Sequence, residues 1–185
     1  MNQWNAYRKT PPESLPVTLT AARQHLRLLT NDDDGIVGDI LIAACEHVEE
    51  YLQRQLVTAT WVLELGGFPA GDIDLPRPPF GEVEAFIYTD DDGDEHDVEG
   101  YTAYVSNGIG RLVAPAAGWP SGAKSVRVEY EAGYGGSADV PAGIKHAVLL
   151  ALSDLYEHTE AQTERPLAEN AALARLLAPF RTGDL

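Results

Sequence analysis

The sequence predicts an α+β fold: amphipathic helices at both ends of the chain, packed together, with a β-rich insertion of about five to six short antiparallel strands between them. Three observations predict it. Apolar residues recur at helical spacing from Asp34 to Leu52 and again after Pro141. Between Leu56 and Tyr134 the pattern changes to period two. A glycine-rich turn, with Gly133, Gly135 and Gly136, then leads from the last strand into a helix opened by Pro141.

Residues 1–16 hold Pro11 and Pro12 and read as an extended N-terminal tail. Trp4 and Tyr7 can anchor that tail on a neighbour or fold back on their own domain. Thr18 is a good N-cap for a short helix from Leu19 to Leu28. Asp34 can cap the next helix, whose Val37, Ile40, Leu41, Ala44, Val48, Tyr51 and Leu52 share one stripe. Strands are expected at 57–65, 73–75 and 83–89, and the Asp92-Gly93 pair signals a hairpin after the third. Residues 101–105, 110–113 and 125–130 complete the set. In the last of these, Val126, Val128 and Tyr130 alternate with Arg127, Glu129 and Glu131.

Pro141 suits a first helical turn, because its fixed φ is helical and its missing N–H has no partner to lose there. Ile144, Ala147, Val148, Ala151, Leu152 and Leu155 then form an apolar stripe. His158 to Pro166 reads as a loop or frayed end, and Leu167 to Leu177 as a last helix. The expected organisation is a tail over 1–16, a helical core over 17–55 and 137–180, a β-rich insertion over 56–136 and a C-terminal tail over 181–185.

Charge is the strongest compositional signal: 29 acids against 13 bases give a net −16. The acid is concentrated in 31–100, which holds nineteen acids and two bases. Such a field repels phosphate backbones, which argues against groove-reading of DNA, although an acidic lining suits DNA that must slide without sticking. No run of about eighteen apolar residues is present, which argues against a membrane span. The first fourteen residues lack the apolar stretch of a signal peptide. A single cysteine, Cys45, excludes an internal disulfide framework and fits a reducing compartment, as a buried small hydrophobe.

The motifs of catalysis are missing from the sequence. His25, His47, His96, His146 and His158 are scattered, with no metal-ligand spacing and no nucleophile elbow. No catalytic, metal or cofactor-binding residue is therefore expected, and no cofactor. Taking Gly93 as the sixth position of a calcium loop puts Tyr88 at the first, where a carboxylate is required. The glycine turn lacks the Gly-Lys-Ser/Thr of a phosphate loop, and its glycines instead permit a sharp strand-to-helix turn. Asp90, Asp91, Asp92, Asp94, Glu95, Asp97 and Glu99 crowd seven carboxylates into one hairpin, which must face water or a basic partner.

The run from Ser125 through Gly136 and Pro141 to Leu155 resembles the head–tail connector (adaptor, head-completion) proteins of long-tailed bacteriophages and of phage-derived gene-transfer particles. So do Leu15 to Arg27, the acidic turn Asp32-Asp33-Asp34, and Leu75-Pro76-Arg77-Pro78-Pro79 ahead of the 83–93 hairpin. Leu176-Leu177-Ala178-Pro179-Phe180-Arg181 is similar to the family's closing motif. The resemblance covers roughly 15–181, in the family's order.

That resemblance implies a structural virion protein of the head–tail neck, assembled in the bacterial host cytoplasm. About a dozen copies would form a ring under the capsid portal protein, continue the DNA channel and offer a platform to a stopper or tail-terminator protein. Packaged DNA would pass without sequence-specific contact. It further implies portal docking through Leu173, Leu176, Leu177, Phe180 and Arg181, with the acidic hairpin facing the channel or an interface. The alternative is an acidic stand-alone binding module, or a divalent-cation-dependent domain, using the 90–99 cluster.

Overall fold

The computed structural model describes residues 4–160 and 171–181. The chain forms two compact units, Met1–Glu13 with Thr58–Tyr134 and Ser14–Val57 with Gly135–Leu185.

In the first unit the strands are β1 (Trp4–Thr10), β2 (Ala59–Leu65), β3 (Ile73–Leu75), β4 (Phe80–Thr89), β5 (Glu95–Asp97), β6 (Thr102–Ser106), β7 (Ile109–Val113) and β8 (Ser125–Ala132). They make a five-stranded sheet in the order β1-β2-β8-β4-β5 and a three-stranded sheet in the order β3-β7-β6. Every pairing among them is antiparallel. The alternation in β8 works as expected: Val126, Val128, Tyr130 and Ala132 are buried. Val128 lies in register with Leu63 on one side and Phe86 on the other.

Around them lie Trp61, Leu75, Val98 and Leu112, with Phe68, Tyr101 and Trp119 packed against the cluster. Phe68 stacks on Trp119 at 5.2 Å between ring centroids, and Phe86 meets Tyr101 edge-on at 5.1 Å. Tyr130 is fully buried, and its hydroxyl donates to the Pro76 carbonyl at 2.8 Å. Burial pushes its phenol well above the ordinary tyrosine range. Gly110 is needed because a Cβ there would overlap the Phe80 ring.

The second unit holds α1 (Leu19–Leu26), α2 (Asp34–Leu52), α3 (Ala142–Glu160), α4 (Ala171–Leu177) and a 3-10 turn, Ala178–Phe180. Its interior is aliphatic. Val37, Leu41, Ala44, Val48 and Leu52 of α2 are buried, as are Ile144, Ala147, Val148, Ala151 and Leu152 of α3. Each large side chain so buried contributes roughly 1.5–3 kcal/mol before entropy. Thr18 caps α1, its Oγ1 accepting from the Ala21 N–H at 3.2 Å. After α2, the buried Glu49 carboxylate accepts from Gln55 Nε2 at 2.7 Å and from the Leu56 N–H at 3.1 Å. That pair stitches the end of the helix to the chain leaving it.

Several expectations need correction. Residues 4–10, expected in an extended tail, form edge strand β1, which pairs with β2 from Trp4 opposite Leu65 onward. The unit boundary accordingly falls at 13/14 and not after 16. The first unit holds eight strands among the described residues, more than the five to six expected. The additional ones are β1 and the short β5, which closes the hairpin. The strand expected from Val57 starts at Ala59. Asp33 and not Asp34 occupies the N-cap of α2, without a side-chain cap bond. Ile40 is only half-buried. Helix α3 continues through His158 to Glu160, and 161–170 lie outside the described residues, as do 182–185 of the C-terminal tail.

Candidate functional surfaces

The acidic hairpin between β4 and β5 is organised from within. Asp90 Oδ1 accepts from the N–H groups of Asp92 and Asp94, both at 3.0 Å. Its other oxygen meets His96 Nε2 at 2.7 Å, and the His96 ring stacks on Tyr88 at 5.0 Å. The His96 bond, followed by these backbone N–H donors, holds the Asp90 carboxyl below the ordinary carboxylate range. Lys124 Nζ donates to the Asp91 carbonyl at 2.8 Å, and Arg127 lies 3.7 Å from Glu95. Asp90 is thus the turn's fastener. Asp91, Asp92, Asp94, Glu95, Asp97 and Glu99 are exposed to solvent. Among the described residues, no group of three or more His, Cys, Asp or Glu side chains is placed to hold a metal ion.

At the strand-to-helix turn, Gly133 and Gly135 take φ of 136° and 116°, values that side-chain-bearing residues rarely adopt. The Gly133 N–H donates to the Pro79 carbonyl at 2.8 Å, closing the end of β8. Beyond it, Asp139 Oδ2 accepts from the Gly136 N–H at 2.9 Å, and a Cβ on Gly135 would stand 2.7 Å from that oxygen. The Pro141 carbonyl then accepts from the Ile144 and Lys145 N–H groups as α3 begins. Carboxylate and carbonyl acceptors fill the turn, so its chemistry is that of a bend and not of a phosphate cradle.

The C-terminal segment divides. Leu173 and Leu177 point into the second unit, Leu177 with 0% exposure. Leu176 and Phe180 are half-buried; Phe180 lies against Gly143, and its carbonyl accepts from Arg54 Nε at 2.6 Å. Arg181 is exposed, its guanidinium 5.4 Å from the centre of the Tyr51 ring. Of the five residues expected to dock, Arg181 and portions of Leu176 and Phe180 face outward, beside the exposed Arg175, Ala178 and Pro179.

Two further features escaped the sequence reading. His25 and His146 meet edge-on, 6.3 Å between ring centroids, and nothing in their positions 121 residues apart signals it. Large aliphatic side chains also stand exposed on α1, α2 and the loop between them. The stripe pattern of α2 did hold that signal, since Ile36 and Ile42 fall off the buried face.

The same arrangement of strands and helices occurs in solved gene-transfer-agent structures. A chain in the neck of an empty GTA particle computed with C6 symmetry matches with a TM-score of 0.82 at 22% identity, covering 98% of this chain and 97% of that one. A chain in the neck of the native GTA particle computed with C12 symmetry matches at 0.77 and 23% identity, covering 99% and 97%. In sequence, a 41-residue stretch is 51% identical to head completion protein gp6 of Enterobacteria phage HK97. Its likeness is to head–tail connectors. The matched stretch is 22% of this connector-like chain and 38% of the phage protein, well under half of either. No family model matches the chain.

Proposed function

We propose that the chain is a structural virion protein of the head–tail neck. In this reading, copies of it form a closed ring under the capsid portal, continue the DNA channel and receive a stopper or tail-terminator protein on the far side. The observation that carries the reading is the fold, shared almost end to end with chains of gene-transfer-agent necks. One of those necks was computed with C12 symmetry, which supports a ring of about a dozen copies here. The role is geometric: identical heterologous contacts repeat around an axis until they close. Exposed carboxylates on the β4–β5 hairpin suit a surface past which DNA slides, because they repel its phosphates. Arg181 and the outward parts of Leu176 and Phe180 are the candidates for portal docking.

The test is co-expression with the portal protein of the same genome, followed by electron microscopy of the purified complex. A second ring stacked on the portal's narrow end is the expected result. A bare portal, with this protein running separately, overturns portal attachment. Arg181→Glu in the same experiment is expected to weaken stacking while leaving the fold intact. Undiminished stacking removes Arg181 from the docking surface.

A further inference from the structure

Among the described residues, the two open sheets of the first unit end in four edge strands: β1 and β5 in one, β3 and β6 in the other. An unpaired edge invites another chain to pair with it, and proteins blunt edges with charge, proline, bulges or brevity. Strand β1 carries Arg8 and Lys9, and its register shifts between Arg8 and Thr10. Strands β3 and β5 have three residues each; β3 holds Asp74 and runs into Pro76, and β5 holds Glu95 and Asp97. Strand β6 has none of these devices. Its sequence, Thr102-Ala103-Tyr104-Val105-Ser106, lacks charge, proline and glycine, and Thr, Tyr and Val are strand formers. It pairs with β7 in unbroken register, and Thr102 to Val105 are all exposed.

The hairpin turn fixes which backbone groups β6 offers. Asn107 and Gly108 take φ of 53° and 83°, the two positive values that a two-residue type I′ turn requires. Such a turn makes Ser106 and Ile109 a hydrogen-bonded pair, and bonded and non-bonded pairs alternate from there. Thr102, Tyr104 and Ser106 therefore bond to β7, while the N–H and C=O groups of Ala103 and Val105 point away from it. These four groups have no partner among the described residues and are left to water. The ligand that satisfies them in alternation is extended polypeptide.

Symmetry narrows the source of that strand. Two β6 edges pair with each other only about a two-fold axis, which a purely cyclic ring does not contain. A neighbouring copy would have to offer a different edge, and its β1, β3 and β5 are the blunted ones. The portal is already assigned to the C-terminal residues of the helical unit. We infer that β6 receives an extended segment of the neck protein on the far side of the ring, added as a fourth strand beside Ala103 and Val105. The segment is about as long as β6 and free of charge opposite Tyr104 and Val105, where aromatic and β-branched side chains pair best. This rests on the ring reading above and names the surface that receives the next protein.

Hydrogen exchange on the full-length chain tests it in three states: free, ringed on its portal, and ringed with the stopper protein of the same genome added. The Ala103 and Val105 amides are expected to exchange fast in the first two states and to slow by about tenfold or more in the third. Val105→Pro removes an outward N–H and no bond to β7, so it is expected to keep the ring and lose the stopper. Val105→Lys leaves every backbone group in place and is expected to weaken stopper attachment too. Amides that stay fast with the stopper bound, or a stopper held equally well by both variants, overturn the inference. So does a ring that takes no stopper. Slowing already present in the free chain or the portal ring means that another copy or the portal covers β6, and overturns it as well. All these outcomes leave the ring standing; a wild-type chain that forms no ring on the portal overturns both readings.

Discussion

Tyr7 and Tyr104, exposed on the sheet unit, carry hydroxyls that bond to Glu64 and Arg111, whereas Leu19, Leu29, Ile36 and Ile42 on the helical unit are purely aliphatic. Val105 is the exception on the sheet side. The sheet unit also ties its charged groups to one another: Arg111 grips Asp74 with two guanidinium nitrogens, and His96 fastens Asp90. Its aromatic interior is closed around Tyr130. The helical unit has an equally dry interior but leaves aliphatic surface in water, and exposed apolar groups clustered on a rigid element mark contact surfaces. The difference teaches that the sheet unit engages most of its large exposed side chains within itself, whereas the helical unit leaves bare aliphatic groups in water.

That contrast can be broken at its strongest points first. Tyr130→Ala removes the centre of the sheet core and is expected to cost ~3–5 kcal/mol, and Leu177→Ala ~2–5 kcal/mol, in denaturant unfolding. Equal and small losses would mean that neither interior carries its unit. Leu177 being interior also means that deleting the C-terminal segment strips core as well as any docking surface. Point changes at Arg181 are the cleaner probe.

Gly135→Ala forces a side chain into a positive-φ position against Asp139. It is expected to cost upwards of about 1 kcal/mol, a loss absent if the turn simply relaxes. Leu29→Ala is expected to stay within about 0.5 kcal/mol of wild type, and a larger loss would show that Leu29 packs on its own fold.

The smallest effect is chemical. Burial, then the nearby Glu49 and Glu46 charges, push the Cys45 thiol up to about 12 from 9.0. The neutral thiol is the form the fold favours. Its contribution is therefore complete below pH 9 and fades as pH climbs from there towards 12. Folded protein at pH 8 should resist alkylation that unfolded protein accepts readily. Rapid labelling of the native chain would contradict a closed helical interior.

Sequence periodicity made the central elements legible. Strand β8 and helix α2 bury one face along their whole length, so a local pattern reports the core directly. Strand β1 was illegible for a physical reason: its partner β2 lies some fifty residues away, and an exposed edge strand needs no apolar alternation. Strand β5, Glu95-His96-Asp97, reads as loop by propensity and is a strand because the Asp90–Gly93 turn delivers it to β4. At the closing segment, the 0, 3, 4, 7 spacing of Leu173, Leu176, Leu177 and Phe180 marked an apolar stripe correctly. Spacing alone does not say whether such a stripe faces a partner or its own core, and here Leu173 and Leu177 face inward.

The interleaving of the two units along the chain sets an order of events during synthesis. Helix α2 ends at Leu52, and α3, against which it packs, begins at Ala142. A chain growing at roughly 5–20 residues per second therefore leaves α2 without that partner for several seconds. In that interval the strands from β2 to β8 are completed. The sheet unit matures first on the ribosome, and the helical unit, bearing the exposed aliphatic face, is assembled last. Until α3 arrives, the apolar stripe of α2 stays uncovered, so the unfinished chain is most prone to aggregate in that interval and the finished sheet unit does nothing to shield it.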